Sequence, residues 1–462
     1  MSVRTGFSRS GWPTEVGPTL IERLCAIATA GALIPIWLFR YFPTQDGPSH
    51  LYNSYVLSHY HDAASTIVRQ YFVLNLRPFP NWTSYALSAV LVRVLPPIVV
   101  QQVILSICVI AIPAAVLYLQ KSFKPEADGT ALLGVLLAYS YMLFMGFFNF
   151  VIGAALFAIA TGYWWRRRNG RNLYGLYALL ILTYFSHDLA FAVALLAIAA
   201  LSAMERRWRV LVELSPAALM FLIDAIARPH GQPLFRSLRW HLRQLVAVFS
   251  AGHIAIAIVT LVVVIAGLIW PFVRSRPNPF AVVSLILFVA YFVAPWGYSA
   301  AGWVQAGWIN ERLLFLTILT LPAWIALPRP AVLVFLIAVI AHLTATSLQI
   351  ATLNRLIGDI ARCSSLVRPH STIRTFFPLS GVSPQVTPTL HLTAYIAMNT
   401  DVVDLDDYEA LLPDFPVAYR AHPPSRPADY VVAWKGADVP PLGGYRLEFE
   451  NGAIRLYHLG VP

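Results

Sequence analysis

Long apolar runs separated by short polar turns dominate the chain, and their lengths predict membrane helices rather than a water-soluble core. The first run covers residues 19–41, and a polar segment, 42–82, follows it; its pattern suits two short amphipathic helices lying on a membrane. Residues 83–120 are too long for one crossing and short for two, so a partly inserted helix over 84–95 and a full span over 98–120 are expected. Apolar hairpins follow at 131–165 and 172–204, turning at 141–150 and 184–189. Further spans are expected at 210–227, 254–273, 280–294, 313–327 and 331–350, with an amphipathic piece inside 228–246 and a Trp-rich loop from Trp296 to Arg312. About eleven spans result, counted at roughly 20 residues each. In residues 351–462 charge and proline rise, 430–434 and 445–449 alternate as strands do, and Asn451-Gly452 reads as a hairpin turn.

The fold class that follows is mainly α: a polytopic transmembrane helical bundle over 1–350, with 42–82 as its first outer loop, and a small α/β domain over 351–462. Composition agrees, since 58% of the residues are hydrophobic and 12% charged, about half the charge of a soluble domain. The net charge of +11 rests almost wholly on arginine, and in a membrane protein such an excess reports topology first. Arg4, Arg9 and Arg23 flank the first run, Lys121 and Lys124 close the second, and Arg166-Arg167-Arg168 and Arg206-Arg207 close the hairpins. That pattern predicts a cytoplasmic N-terminus, an extracytoplasmic C-terminal domain and a multi-pass protein of the inner (plasma) membrane. The first run reads as a retained anchor rather than a cleaved signal peptide. No basic stretch interleaved with aromatics points to nucleic acid. Cys25, Cys108 and Cys363 make neither a disulfide framework nor a metal spacing.

With this sidedness, the outer turns carry nearly all the chemistry. Asp46, His50, Asn149, His187, Asp188, Arg228, His230, Glu311 and Arg312 fall near one membrane surface, whereas the inner loops hold little besides arginine. Asp46 precedes Gly47-Pro48, so the backbone turns there, and a carboxylate at a membrane boundary is expensive unless it is paired or used. Cations and aromatics around it suit a substrate with an anionic head and a greasy tail. Each residue also has a plainer role open to it. Asp46 and Asp188 are in positions where acids cap helices, Asn149 could close a turn, and Glu311-Arg312 could pair with each other. The tryptophans fit an interface belt better than a sugar platform, and His59, His61 and Asp62 fit a solvated loop face better than a metal cluster.

The segment Thr44-Gln-Asp46-Gly-Pro-Ser-His50, directly after the first membrane helix and opening a long outer loop, resembles the GT-C superfamily of membrane glycosyltransferases. The many spans and the C-terminal outer domain match that family's architecture. The resemblance implies a sugar donor on polyprenyl phosphate, a glycan, lipid or protein acceptor, and inverting transfer on the outer face. It implies Asp46 as general base, Arg312, Arg228 or His230 on the lipid phosphate, and His50 or His187 orienting Asp46. Many members show two adjacent acids in this loop; here Gly47 follows Asp46, so a second acid would be Asp62 or Asp188. No metal ligand set is assigned, and a divalent cation is the one cofactor left open.

Two other classes compete. A transporter or flippase for a lipid-linked or anionic solute would need polar groups at mid-membrane on broken, repeated helices, and neither is evident in the sequence. A non-catalytic assembly protein would leave Asp46 and His187-Asp188 without a task beyond capping.

Overall fold

The computed structural model describes residues 19–124, 128–170, 173–227, 231–249, 254–274, 278–300, 303–327, 329–377, 386–398, 401–421 and 427–460. Arg4, Arg9, Arg228 and His230 lie outside the described residues. Helix α1 (Leu20–Leu38) opens with a capping box, in which Thr19 and Glu22 satisfy each other's backbone N–H groups. After it come α2 (Gly47–His59), α3 (Thr66–Tyr71), strand β1 (Phe72–Leu74), α4 (Trp82–Leu91) and α5 (Pro97–Phe123). Residues 83–120 therefore form two helices, with the break at Pro96-Pro97.

The first apolar hairpin is lopsided. Its outgoing arm is α6 (Leu133–Ala138) and α7 (Tyr141–Met145), short and wholly buried, while its return is one continuous helix, α8 (Phe148–Arg167), packed along α5. The second hairpin is α9 (Tyr174–Ser186) and α10 (Asp188–Met204), turning at His187 as expected. Next are α11 (Trp208–Glu213), α12 (Ser215–Ala227), β2 (Gln232–Leu234), α13 (Leu238–Ala247), α14 (Ile254–Arg274) and α15 (Pro279–Val293). The Trp-rich loop is not a loop. It is the hairpin β3 (Gly297–Ala300) and β4 (Trp303–Ala306), and β2 adds to it as a third strand. Helix α16 (Ile309–Thr320) and the long α17 (Arg329–Ala361) complete this region. Helix α17 runs past the expected end at Ile350, because the change in hydropathy there does not break the helix.

Among the described residues four helices are long and apolar enough to cross a membrane: α1, α5, α8 and α17. The other expected crossings are carried largely by apolar helices of 10–17 residues. Helices α1 and α17 turn Ile27, Ile34, Trp37, Leu333, Ile337 and Ile340 outward, a surface suited to lipid rather than water.

The C-terminal region is a mixed five-stranded sheet, ordered β6-β5-β8-β10-β9. Its strands are β5 (Ser371–Phe376), β6 (Val402–Asp404), β8 (Tyr430–Trp434), β9 (Tyr445–Glu450) and β10 (Ile454–Leu459); a short helix α18 (Thr393–Ala397) precedes β6, and β7 (Val417–Tyr419) stands apart. Strand β5 runs parallel to β6 and β8, and the Asn451-Gly452 turn joins β9 to β10 as expected.

The 42–82 segment does not lie free on a surface, because the C-terminal region covers it. Strand β1 pairs antiparallel with β7, Phe72 opposite Tyr419. The carboxylate of Asp401 accepts the backbone N–H groups of Thr66, Ile67 and Val68 at 2.9–3.1 Å, so a residue of the C-terminal region caps α3. The Tyr52 hydroxyl donates to the Val402 carbonyl, and Asn53 donates to both oxygens of Asp407 at 3.0 and 3.1 Å. Between these contacts and the packing of α2 on α4, eight residues of α2 are buried.

Underneath, the turn between α7 and α8 holds the Asp46 turn. The N–H groups of Gln45 and Asp46 donate to the carbonyls of Phe144 and Met145 at 2.9 and 3.0 Å. Gly146 sits between them at φ +87°, where a Cβ would stand 2.5 Å from the Gly47 nitrogen.

Two predictions follow from this interlock. Gly146→Ala should destabilise the protein by ~2 kcal/mol or more, combining a left-handed alanine with backbone overlap, and should lower its melting temperature; an unchanged melt would mean that the two turns are not in contact. Asp401→Ala should remove the cap from three N–H groups, of which that of Val68 is buried, at about 1–3 kcal/mol, and expose residues 60–66 to protease. Protection equal to wild type would contradict the cap.

Candidate active site

Asp46 stands at the start of α2, yet its side chain makes no capping hydrogen bond, so the plainer role does not account for it. It is 6% exposed. Its carboxylate accepts from the Gln45 side-chain amide, 3.1 Å from Oδ1, and from the Tyr408 hydroxyl, and His391 Nε2 lies 3.6 Å away. Gln45 is itself fixed from the other side, accepting the Thr387 N–H at 2.9 Å. Burial pushes the Asp46 carboxyl up to about 6, and the nearby His50 charge opposes that rise. Burial holds His391 down at about 3, so it stands beside Asp46 as a neutral imidazole and not as an ion-pair partner.

His50 lies one turn along α2. Its Nδ1 is 2.6 Å from Glu409 Oε1 and 2.5 Å from the Tyr85 hydroxyl, which donates to Glu409 Oε2 at 2.7 Å. Its ring also donates to the Gly146 carbonyl. Burial alone would lower its proton affinity, but the Glu409 carboxylate more than reverses this, and the net direction is upward. That direction favours the imidazolium form, and the ring ties α2 to α4, the α7–α8 turn and the C-terminal region through these contacts.

Arg312, on the first turn of α16, comes to the same neighbourhood. Its guanidinium lies 4.5 Å from the Phe147 ring and 5.7 Å from Phe150, and it donates to the Gly307 carbonyl at 2.8 Å. Asp188, Glu311 and Asp46 all lie within electrostatic reach of it, and its Nε has no partner among the described residues. Glu311 accepts the Trp296 indole N–H at 3.2 Å and keeps Oε2 unpartnered in the interior. Trp296 and Trp308 pack on each other, with ring centroids 5.2 Å apart, and Trp308 on Phe147 at 5.6 Å. Trp308 holds a φ of +57°, an uncommon strain for an aromatic residue. These two tryptophans therefore pack as a pair beside Phe147 and Arg312.

Other expected site residues turn out to have structural tasks. Asn149 accepts the Ser84 N–H and donates to the Asn81 carbonyl, both at 2.7 Å, which ties the start of α4 to α8. The His187 Nδ1 accepts the Leu189 N–H at 3.1 Å and caps α10, with Asp188 sharing that donor at 2.6 Å. Asp188 stays partly exposed and keeps its electrostatic link to Arg312. Asp62 is held by Arg93 at 3.0 Å. Among the described residues no group of three or more His, Cys, Asp or Glu side chains is placed to hold a metal ion.

The residues that sequence reasoning missed are those of the C-terminal region: His391, Asp407, Tyr408 and Glu409. The run from Asp401 to Glu409 holds five of the chain's 22 acids, and that density was the available signal.

No family model matches the chain, and no curated protein matches it. Among solved structures, the cryo-EM structure of arabinofuranosyltransferase AftD from Mycobacteria is similar over 95% of this chain, with a TM-score of 0.49 and 13% identity. This chain spans 40% of the length of that one.

Proposed function

We propose that this protein is a membrane-embedded glycosyltransferase, with Asp46 as general base and a polyprenyl-phosphate-linked sugar as donor. The observation that carries the reading is Asp46 itself: a buried, non-capping carboxyl at the end of the first apolar helix, ringed by donors, with the Arg312 cation in reach. A carboxyl with proton affinity near neutrality is matched to taking a proton at physiological pH.

In the proposed step, an acceptor hydroxyl gives its proton to Asp46 while its oxygen attacks the anomeric carbon. The bond from that carbon to the phosphate oxygen breaks, and its electron pair leaves with the lipid phosphate. That leaving group is stable as an anion and needs no proton. Arg312 stabilises its growing charge, and a single displacement inverts the sugar. His50 acts as a positioning residue: its charge favours the ionised form of Asp46, and Glu409 keeps that charge in place.

The reading is tested with a panel of polyprenyl-phosphate sugars, wild type beside Asp46→Asn. Transfer or donor hydrolysis is expected in wild type and a loss to background in the variant; equal turnover in both would remove Asp46 from the mechanism. The variant should also fold better. A carboxyl whose folded value, about 6, exceeds its unfolded value near 3.8 favours the fold only while protonated. That stability is full below about pH 4 and is lost as pH rises through about 6. Asp46→Asn should therefore exceed wild type by up to ~3 kcal/mol at pH 7.5 and match it near pH 4, read from thermal melts. A variant less stable than wild type at pH 7.5 would contradict the burial argument.

The Glu409 contact has its own readout. Glu409→Gln keeps a hydrogen-bond acceptor and removes the charge, so the His50 ring, followed by NMR of labelled histidine, should release its proton at lower pH than in wild type. The stability that this pair adds, present below the unfolded histidine value of 6.5 and lost as pH rises through the folded one, should shrink with it. An unmoved titration would show that Glu409 does not set the charge of His50.

A further inference from the structure

At the ends of α5 and α8 remote from Asp46, a cleft of about 390 Å³ opens between Tyr118, Tyr163, Arg166 and Arg167. It lies roughly 25 Å along α8 from Asn149, at 1.5 Å per residue, so it is separate from the site above. Its volume falls in the range of small-molecule sites. Its lining contains two guanidinium groups and no carboxylate.

The cleft is built rather than left over. The Arg166 guanidinium lies 4.5 Å over the Tyr118 ring, with Nε donating to Ser122 Oγ at 2.8 Å and Nη2 to the Tyr118 carbonyl at 3.5 Å. Arg167 lies 5.8 Å over the Tyr163 ring. Two glycines make room for the two rings. A Cβ at Gly162 would stand 2.8 Å from Ser122 Oγ and 3.0 Å from Tyr118, and one at Gly175 would overlap the Tyr163 hydroxyl. The neighbouring Arg168 turns away instead, stacking on Trp165 at 4.0 Å and donating to that residue's carbonyl.

We propose that this cleft binds the phosphate of an anionic lipid headgroup, between Arg166 and Arg167 and against the two tyrosine rings. Guanidinium groups match phosphate with paired donors, and phenol rings suit the boundary between bilayer and water. Helices α5 and α8 are both long and apolar enough to span a bilayer, which puts their ends at headgroup depth and favours a phosphate carried on a lipid over one free in water. The competing account is that these arginines serve only as topological charge, which would need no cleft and no particular geometry.

Charge-conserving substitution separates the two accounts. Native mass spectrometry of the full chain, with dioleoyl phosphatidylglycerol, dioleoyl phosphatidylcholine or inorganic phosphate added, reads the binding. One phosphatidylglycerol should be retained at least ~10-fold better than phosphatidylcholine, a difference of about 1.4 kcal/mol. The double variant Arg166→Lys/Arg167→Lys keeps the charge and should lose that preference. Equal retention of the two lipids by wild type would overturn the proposal, as would an unchanged preference in the lysine variant. Binding of inorganic phosphate that excludes the lipid would overturn its lipid source. If the double variant does not melt as a folded protein, Tyr163→Leu takes its place, and full retention of the preference there would equally count against the site.

Discussion

The contact between His50 and Glu409 is what the rest of the site depends on. It places the His50 imidazole of the first polar segment, its side chain 13% exposed, against the fully buried Glu409 carboxylate of the C-terminal region. Buried charges are stable only when paired and hydrogen-bonded, and here Tyr85 and the Gly146 carbonyl complete the set. Four elements far apart in the sequence are thereby held in one register. Asp46, one turn before His50, takes its position from that register and its proton affinity from the burial that the register enforces.

The same constraint explains why the C-terminal region cannot be a passive appendage. Its Asp401 caps α3, its β7 pairs with β1, and its Asp407 holds Asn53 across a sequence separation of 354 residues. The groups facing Asp46 from above, Tyr408 and His391, belong to it too. In physical terms the site has a floor of helices, α8 and α16, and a roof formed by turns of the C-terminal region. The acidic carboxyl sits in the seam, where neither water nor lipid satisfies it.

Much of the helical order was legible in the chain. The break at Pro96-Pro97, the turns at 141–150 and at His187, and the Asn451-Gly452 hairpin all follow from local rules about proline, glycine and periodicity. What was not legible depends on partners far away. Nothing in the spacing of 42–82 says that its helix will be covered, because α2 carries the same Tyr, Asn and Ser residues that a surface helix would. The Trp-rich segment reads as a loop because its strands are four residues long, too short for alternation to register. Helix α17 was cut short because hydropathy marks an environment and not a helix end. Of the site, Asp46 and Arg312 could be proposed from their positions, whereas Tyr408 and His391 could not, and Glu409 was marked only by the density of acids around it: their part in the site is created by tertiary contact.

The most direct test of Asp46 as the working base is the pH dependence of sugar transfer under single-turnover conditions, from about pH 4.5 to 8. A carboxyl that must be ionised, and that burial holds near 6, gives a rate that climbs tenfold per pH unit below that value and levels off above it. That profile, with its midpoint near 6, is the result expected here. A rate independent of pH across the range, or one that falls as Asp46 ionises, would contradict it and return Asp46 to a purely structural role.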